Sequence, residues 1–106
     1  METKQIAETI YKQLGGNRFK AMVGAYNFIF GTEADNVFLD CRFKGSKKAN
    51  HLQVIYVYGT DTYHMVFKKI GNAPKYKIVE VAKFDDVYCD DLQSIFEDTT
   101  GLYTHM

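Results

Sequence analysis

The sequence predicts a two-layer α+β fold, with an antiparallel sheet of four to six strands and an N-terminal and a C-terminal helix packed on one face. Three observations carry this prediction. Both ends place apolar residues at helical spacing, while the middle alternates apolar and polar residues as strands do. The turns between the alternating segments are too short for parallel crossovers. Helices at the two ends of one meander cover a single face of a sheet and leave the opposite face open. A chain of 106 residues makes one domain, residues 1–106, and is long enough to fold without disulfides or metals.

Thr3 to Leu14 reads as the first helix, with Ile6, Ala7, Ile10, Tyr11 and Leu14 on one stripe and Thr3 as its N-cap. Gly15 follows, where glycine accepts the left-handed conformation that closes a helix. In "LGGNRFKAMVGAYNF", Leu14 to Phe28, the glycines therefore follow a helix, where carbonyls are exposed. A phosphate loop needs them before one, where N–H groups are free. The stretch reads as a turn that binds no anion.

Strands follow. "RFKAMVG" alternates, with Phe19, Ala21 and Val23 to one side, and Gly24 allows a bulge or a close backbone approach. "NFIFG" continues or returns that strand. "NVFLDCRF" sets Val37, Leu39, Cys41 and Phe43 on the core face and Phe38, Asp40 and Arg42 on the other. "GSKKAN" is a polar loop. "HLQVIYVY" is apolar on both faces apart from Gln53, the pattern of a central strand, and "GTDT" is a hairpin turn. "YHMVFKK" returns with Tyr63, Met65 and Phe67 inward and His64, Val66 and Lys68 outward. "GNAPK" is a further turn, and "YKIVEVAKF" is the last strand. Val87 to Thr100 reads as the closing helix, with Tyr88, Leu92, Ile95 and Phe96 as its stripe and Gly101 as its stop. Asp90 and Asp91 fall in its first turn, where carboxylates suit the positive end of the helix.

The zero net charge is a cancellation. Arg42 to Lys83 holds nine basic residues against Asp61 and Glu80, and from Phe84 onward there are six acidic residues and no Lys or Arg. Such blocks arise either from a polarised surface or from charges that neutralise one another in the fold. No run reaches the roughly 18 apolar residues of a membrane span, and "METKQIAETI" carries charges where a signal peptide needs an apolar core. Cys41 and Cys89 stand in apolar company and read as buried, reduced thiols.

The strings that announce catalysis are missing. His51, His64 and His105 lack metal-ligand spacing, the cysteines form no C-x-x-C pair, and there is no G-x-S-x-G or Walker-type segment. Asp85, Asp86, Asp90 and Asp91 read as helix-start and solubility carboxylates, without the glycine-centred spacing of a calcium loop. A non-enzymatic protein without cofactor or metal is the expectation. The suggestive feature is the mixture of cations and aromatics. Arg42, Lys44, Lys47 and Lys48 cluster at a strand end and its loop, and Lys68, Lys69, Lys75 and Lys77 around a later turn. Alternation sets Phe38, Arg42, His64 and Lys68 on the non-core face, with Lys44, Lys47 and Lys48 extending it at one rim. Such a face stacks bases and holds phosphates, or serves as a protein interface.

At "LGGNRFKAMVGAYNF" and again at "DDLQSIFEDTTGLYTHM" the chain resembles a family of small proteins encoded by bacteriophages and related mobile elements. The shared elements are a leading helix, an "LGG" turn, then "F", "AM", "GA" and "F", and an ending close to "LQ-IFE--TGLYT". Val23 stands in place of a threonine and Tyr26 in place of a lysine. The resemblance implies no catalytic residues. It implies a phage or prophage origin, action in the host bacterial cytoplasm, and an accessory role. That role is binding nucleic acid, or binding a host protein as an inhibitor of a host enzyme or defence complex, or acting as a homodimer.

Overall fold

The computed structural model describes residues 3–34, 36–71 and 77–104. Helices α1 (Thr3–Leu14) and α2 (Gly16–Val23) precede strands β1 (Tyr26–Glu33), β2 (Asn36–Arg42), β3 (His51–Val57), β4 (Thr62–Ile70) and β5 (Ile78–Val87). A single turn of 3-10 helix at Cys89–Asp91 leads into α3 (Leu92–Thr100). The strands form one antiparallel meander in the order β1-β2-β3-β4-β5, with β3 central as its two-sided apolar pattern requires.

The main departure from the sequence reading is α2. "RFKAMVG" is helical, so the chain has three helices among its described residues rather than two. Phe19 and Val23, four apart, fit a strand face and a helix face equally well, and both are buried. Ala21 separates the two readings, and it is exposed, as helical periodicity requires. Gly15 does close α1, with φ of 125°, but it also caps the start of α2, and Gly16 follows at φ 61°. The glycines of "LGGN" therefore sit between two helices and do precede one, so the polarity argument made from the sequence fails. The approach is filled by Gln93, whose Nε2 donates to the Leu14 carbonyl at 3.0 Å. Gly24 makes no bulge. It ends α2 in the left-handed conformation at φ 62°, with its N–H on the Lys20 carbonyl.

Two further corrections concern the C-terminal segment. β5 runs on to Val87, and α3 starts only at Leu92, with Asp91 at its N-cap position and Asp90 in the 3-10 turn before it. Tyr88, expected on the helix stripe, is extended in backbone and 64% exposed. Leu92 and Phe96 are buried as expected, and Gly101 ends the helix at φ 78°. Cys41 is buried, whereas Cys89 is exposed, against the expectation for both. The "GNAPK" turn, with Lys75, lies largely outside the described residues.

The core lies between the helices and one face of the sheet. Val37, Leu39, Cys41 and Phe43 point into it together with Leu52, Val54, Tyr63, Met65 and Phe67, the facing expected from alternation. Phe96 of α3 is its hub, with ring centroids 5.1 Å from Phe19, 5.0 Å from Phe43 and 6.0 Å from Phe67. Pairs of this kind contribute about 0.5–1.5 kcal/mol each beyond the area they bury. The β2–β3 loop is tied to the helix layer by Ser46, whose Oγ donates to the Thr100 carbonyl at 2.8 Å. Asn50 extends the sheet by pairing its side chain with both backbone groups of Ile70.

Candidate functional site

Opposed residues of an antiparallel pair share a face, so the register builds the open face of the sheet row by row. One row crosses all five strands: Tyr26, Arg42, His51, Lys68 and Glu80. The next holds Ile29, Asp40, Gln53, Val66 and Lys83, and a third holds Gly31, Phe38, Ile55 and His64. Four of the residues expected on this face, Phe38, Arg42, His64 and Lys68, are thus on it together. No described helix packs against them.

The first row is the electropositive one. His51 stands directly between Arg42 and Lys68. Burial, then the charges of Lys68 and Arg42, push its pKa below the usual histidine value, which keeps the imidazole neutral. Tyr26 closes the row at the β1 edge, with the Lys44 ammonium 5.1 Å and the Arg42 guanidinium 6.0 Å from its ring centroid. Both distances are within cation–π range. In the second row burial pushes the Asp40 carboxyl up to about 6, and Glu33 adds to this, while Lys68 and a Gln53 hydrogen bond oppose it. Asp40 Oδ1, Arg42 Nε and His51 Nδ1 are all buried without a hydrogen-bond partner. Buried polar atoms are ordinarily paired, so these three are groups of the face left for water or for a partner to satisfy.

The other expected residues lie outside the first row. His64 lies toward the other end of the face and pairs with Asp85, Nδ1 to Oδ1 at 2.9 Å. Phe38 is half-buried and its ring covers Gly31, where an added Cβ would lie 3.2 Å from the ring carbons. Lys44 is exposed beside Tyr26. Lys47 and Lys48 are exposed on the β2–β3 loop, which Ser46 anchors toward α3, so they stand at the rim and not on the face. The Lys47 carbonyl accepts a hydrogen bond from Lys69 Nζ at 2.8 Å.

Tyr26, Asp40, Gln53 and His51 were missed as site residues in the sequence. Alternation already set Asp40 on this face, and His51 and Gln53 alternate with the apolar Leu52 and Val54. Tyr26 carries no such signal, because the segment before it fits a strand as well as the helix it forms. Charge on the sheet differs between its two ends, although Glu80 stands in the basic row. Arg42, Lys44, His51 and Lys68 mark one end, and Glu33, Asp61, Asp85 and Asp86 the other. Among the described residues no three His, Cys, Asp or Glu side chains are placed to hold a metal, and no helix is long and apolar enough to cross a membrane. No protein-family model, curated protein or solved structure matches the chain.

Proposed function

We propose that this is a non-enzymatic accessory protein that binds single-stranded nucleic acid across the basic end of its open sheet face. The observation that carries the reading is the row Tyr26–Arg42–His51–Lys68, in which the Tyr26 and His51 rings alternate with the cations Arg42 and Lys68 before Glu80 ends the row on β5. Arg42 and Lys68 supply the phosphate contacts, Lys44, Lys47 and Lys48 add charge at the rim, and Tyr26 and Phe38 offer ring surface for bases. The acidic end of the face limits the footprint to a few nucleotides. The resemblance to phage proteins supports the same role in a host bacterial cytoplasm.

The test is fluorescence anisotropy with labelled single-stranded oligonucleotides at two salt concentrations. Binding that weakens steeply with salt is expected. No binding at on the order of 50 µM protein and low salt, within the range of ordinary non-specific affinities, would reject the reading. One observation favours a second reading. Ile29, Phe38, Ile55 and Val66 form an apolar centre to the same face, flanked by near-balanced charge. That composition suits a protein interface, with a host enzyme, a defence complex or a second copy as the partner.

A further inference from the structure

On the other side of the sheet, at its acidic end, a pocket of about 350 Å³ opens between α1 and the β3–β4 hairpin. Tyr56, Tyr58 and Tyr63 line it together with Asp61, Gln13 and Thr9. Tyr58 stands 5.2 Å from Tyr56 at an interplanar angle of 69°, and Tyr63 stands 5.5 Å from Tyr56 at 53°. The three rings therefore form a corner of π surface rather than a flat stack. Tyr56 donates its hydroxyl proton to the Asp61 carboxylate, and Tyr63 donates to Gln13 Oε1 at 2.6 Å. Both bonds hold the rings in place from their polar ends.

The chemistry of this lining is one-sided. It offers electron-rich ring faces and one carboxylate, and none of the side chains lining it is cationic. Burial pushes the Tyr63 hydroxyl up to about 12, and the Asp61 hydrogen bond pushes that of Tyr56 up as well, so both remain neutral phenols. Aromatic faces attract cations through the ring quadrupole, and several rings together are the usual means of holding methylated ammonium groups. The main acceptors, Asp61 and Gln13, are already engaged by tyrosine hydroxyls, which leaves little for a donor-rich guanidinium. A volume at the low end of ligand pockets suits a headgroup rather than a dinucleotide.

We propose that the Tyr56–Tyr58–Tyr63 pocket is a binding site for an alkylated ammonium group, with the rings against its methyl groups and Asp61 as its counter-charge. The site is separate from the open face and does not depend on the reading given to that face. The group arrives either on a free small molecule or on a methylated lysine side chain.

The experiment is an NMR titration of the full chain with tetramethylammonium chloride, with sodium chloride to match ionic strength and 2,2-dimethylpropan-1-ol as the neutral shape control. Saturable shifts of the Tyr56, Tyr58 and Tyr63 ring signals are expected in the millimolar range that so small a ligand reaches, and the alcohol should leave them in place. Asp61→Asn keeps the shape, and asparagine tolerates the φ of 53° at this turn. It should weaken binding about fivefold with the melting temperature unchanged. Tyr58 is 49% exposed, so Tyr58→Ala should fold and weaken binding by a similar factor. Choline and a short peptide bearing trimethyllysine then separate the two sources by which binds more tightly. Equal shifts with the neutral alcohol, or no saturable shift up to about 100 mM tetramethylammonium, would overturn the proposal.

Discussion

Asp40 is an acidic residue whose environment opposes its charged form. Its carboxyl is half-buried in the open face, one oxygen is unpartnered, and its pKa is pushed up to about 6. An aspartate in the unfolded chain titrates near 4. The folded state therefore holds a proton between these values that the unfolded state has released, and stability falls as pH rises through that window. Above pH 6 the cost is constant. Asp40→Asn removes it, so the variant should be more stable than the parent at pH 7.5, by on the order of 1 kcal/mol after solvent screening is allowed for. The advantage should vanish toward pH 4, and thermal melts at the two pH values check this. His51 works in the opposite sense. Its lowered pKa means that the unfolded state takes up a proton first, so its contribution is intact above about 6.5 and is lost as pH falls. His51→Gln should flatten the acid side of the stability profile. Of these two residues the sequence disclosed position only for Asp40. Neither the depth of its burial nor the two cations flanking His51 are visible without strand register, because both depend on neighbours on other strands, nine or more residues away.

At the scale of elements, α1 and the strand faces of β2 and β4 were legible because their apolar periods are long and unambiguous. The segment after Gly16 was not, because eight residues with apolar positions at 19 and 23 satisfy periods of two and of 3.6 alike. The start of α3 was misplaced for a related reason: Tyr88 lies four residues before Leu92 and fits the stripe, yet an extended backbone turns it outward. The two glycines between α1 and α2 make a sharper test of the corrected reading. Gly15 has a φ of 125°, and a Cβ there would lie 2.9 Å from Gln93 Nε2 and 3.1 Å from Phe19 Cβ. Gly16 has a φ of 61° with open space around it. Gly15→Ala should thus cost about 1–3 kcal/mol through strain and displacement of Gln93. Gly16→Ala should cost roughly 1 kcal/mol through backbone strain alone. Gly16→Asn should recover part of that, since asparagine tolerates the left-handed region. Chemical denaturation of the three variants orders them. Equal costs at both positions would mean that the contact with Gln93 carries no weight.

At the scale of the whole molecule, Arg42, Lys44 and Lys68 gather at one end of the sheet and Glu33, Asp61, Asp85 and Asp86 at the other, which turns a net charge of zero into a directional field. If nucleic acid binds at the basic end, the location of a charge must matter and not only its sign. Arg42→Ala and Lys68→Ala each remove one cation from the open face, while Lys12→Ala removes one from the exposed side of α1, in the opposite layer. Each open-face change should lower the salt dependence of binding to single strands by about 0.7 in the slope of log K against log salt. Lys12→Ala should leave the slope and the affinity as they were. Lys47→Ala with Lys48→Ala should lower the slope too, because rim charges act at the range of the screening length, about 10 Å at 0.1 M salt. It should change all sequences alike. Tyr26→Ala should weaken binding by about 1–3 kcal/mol while keeping the slope, since a stacked base brings no counterions. Anisotropy titrations of the variants at several salt concentrations decide the matter. If Lys12→Ala weakens binding as much as Arg42→Ala, the attraction belongs to the molecule at large and the row on the open face is not its seat.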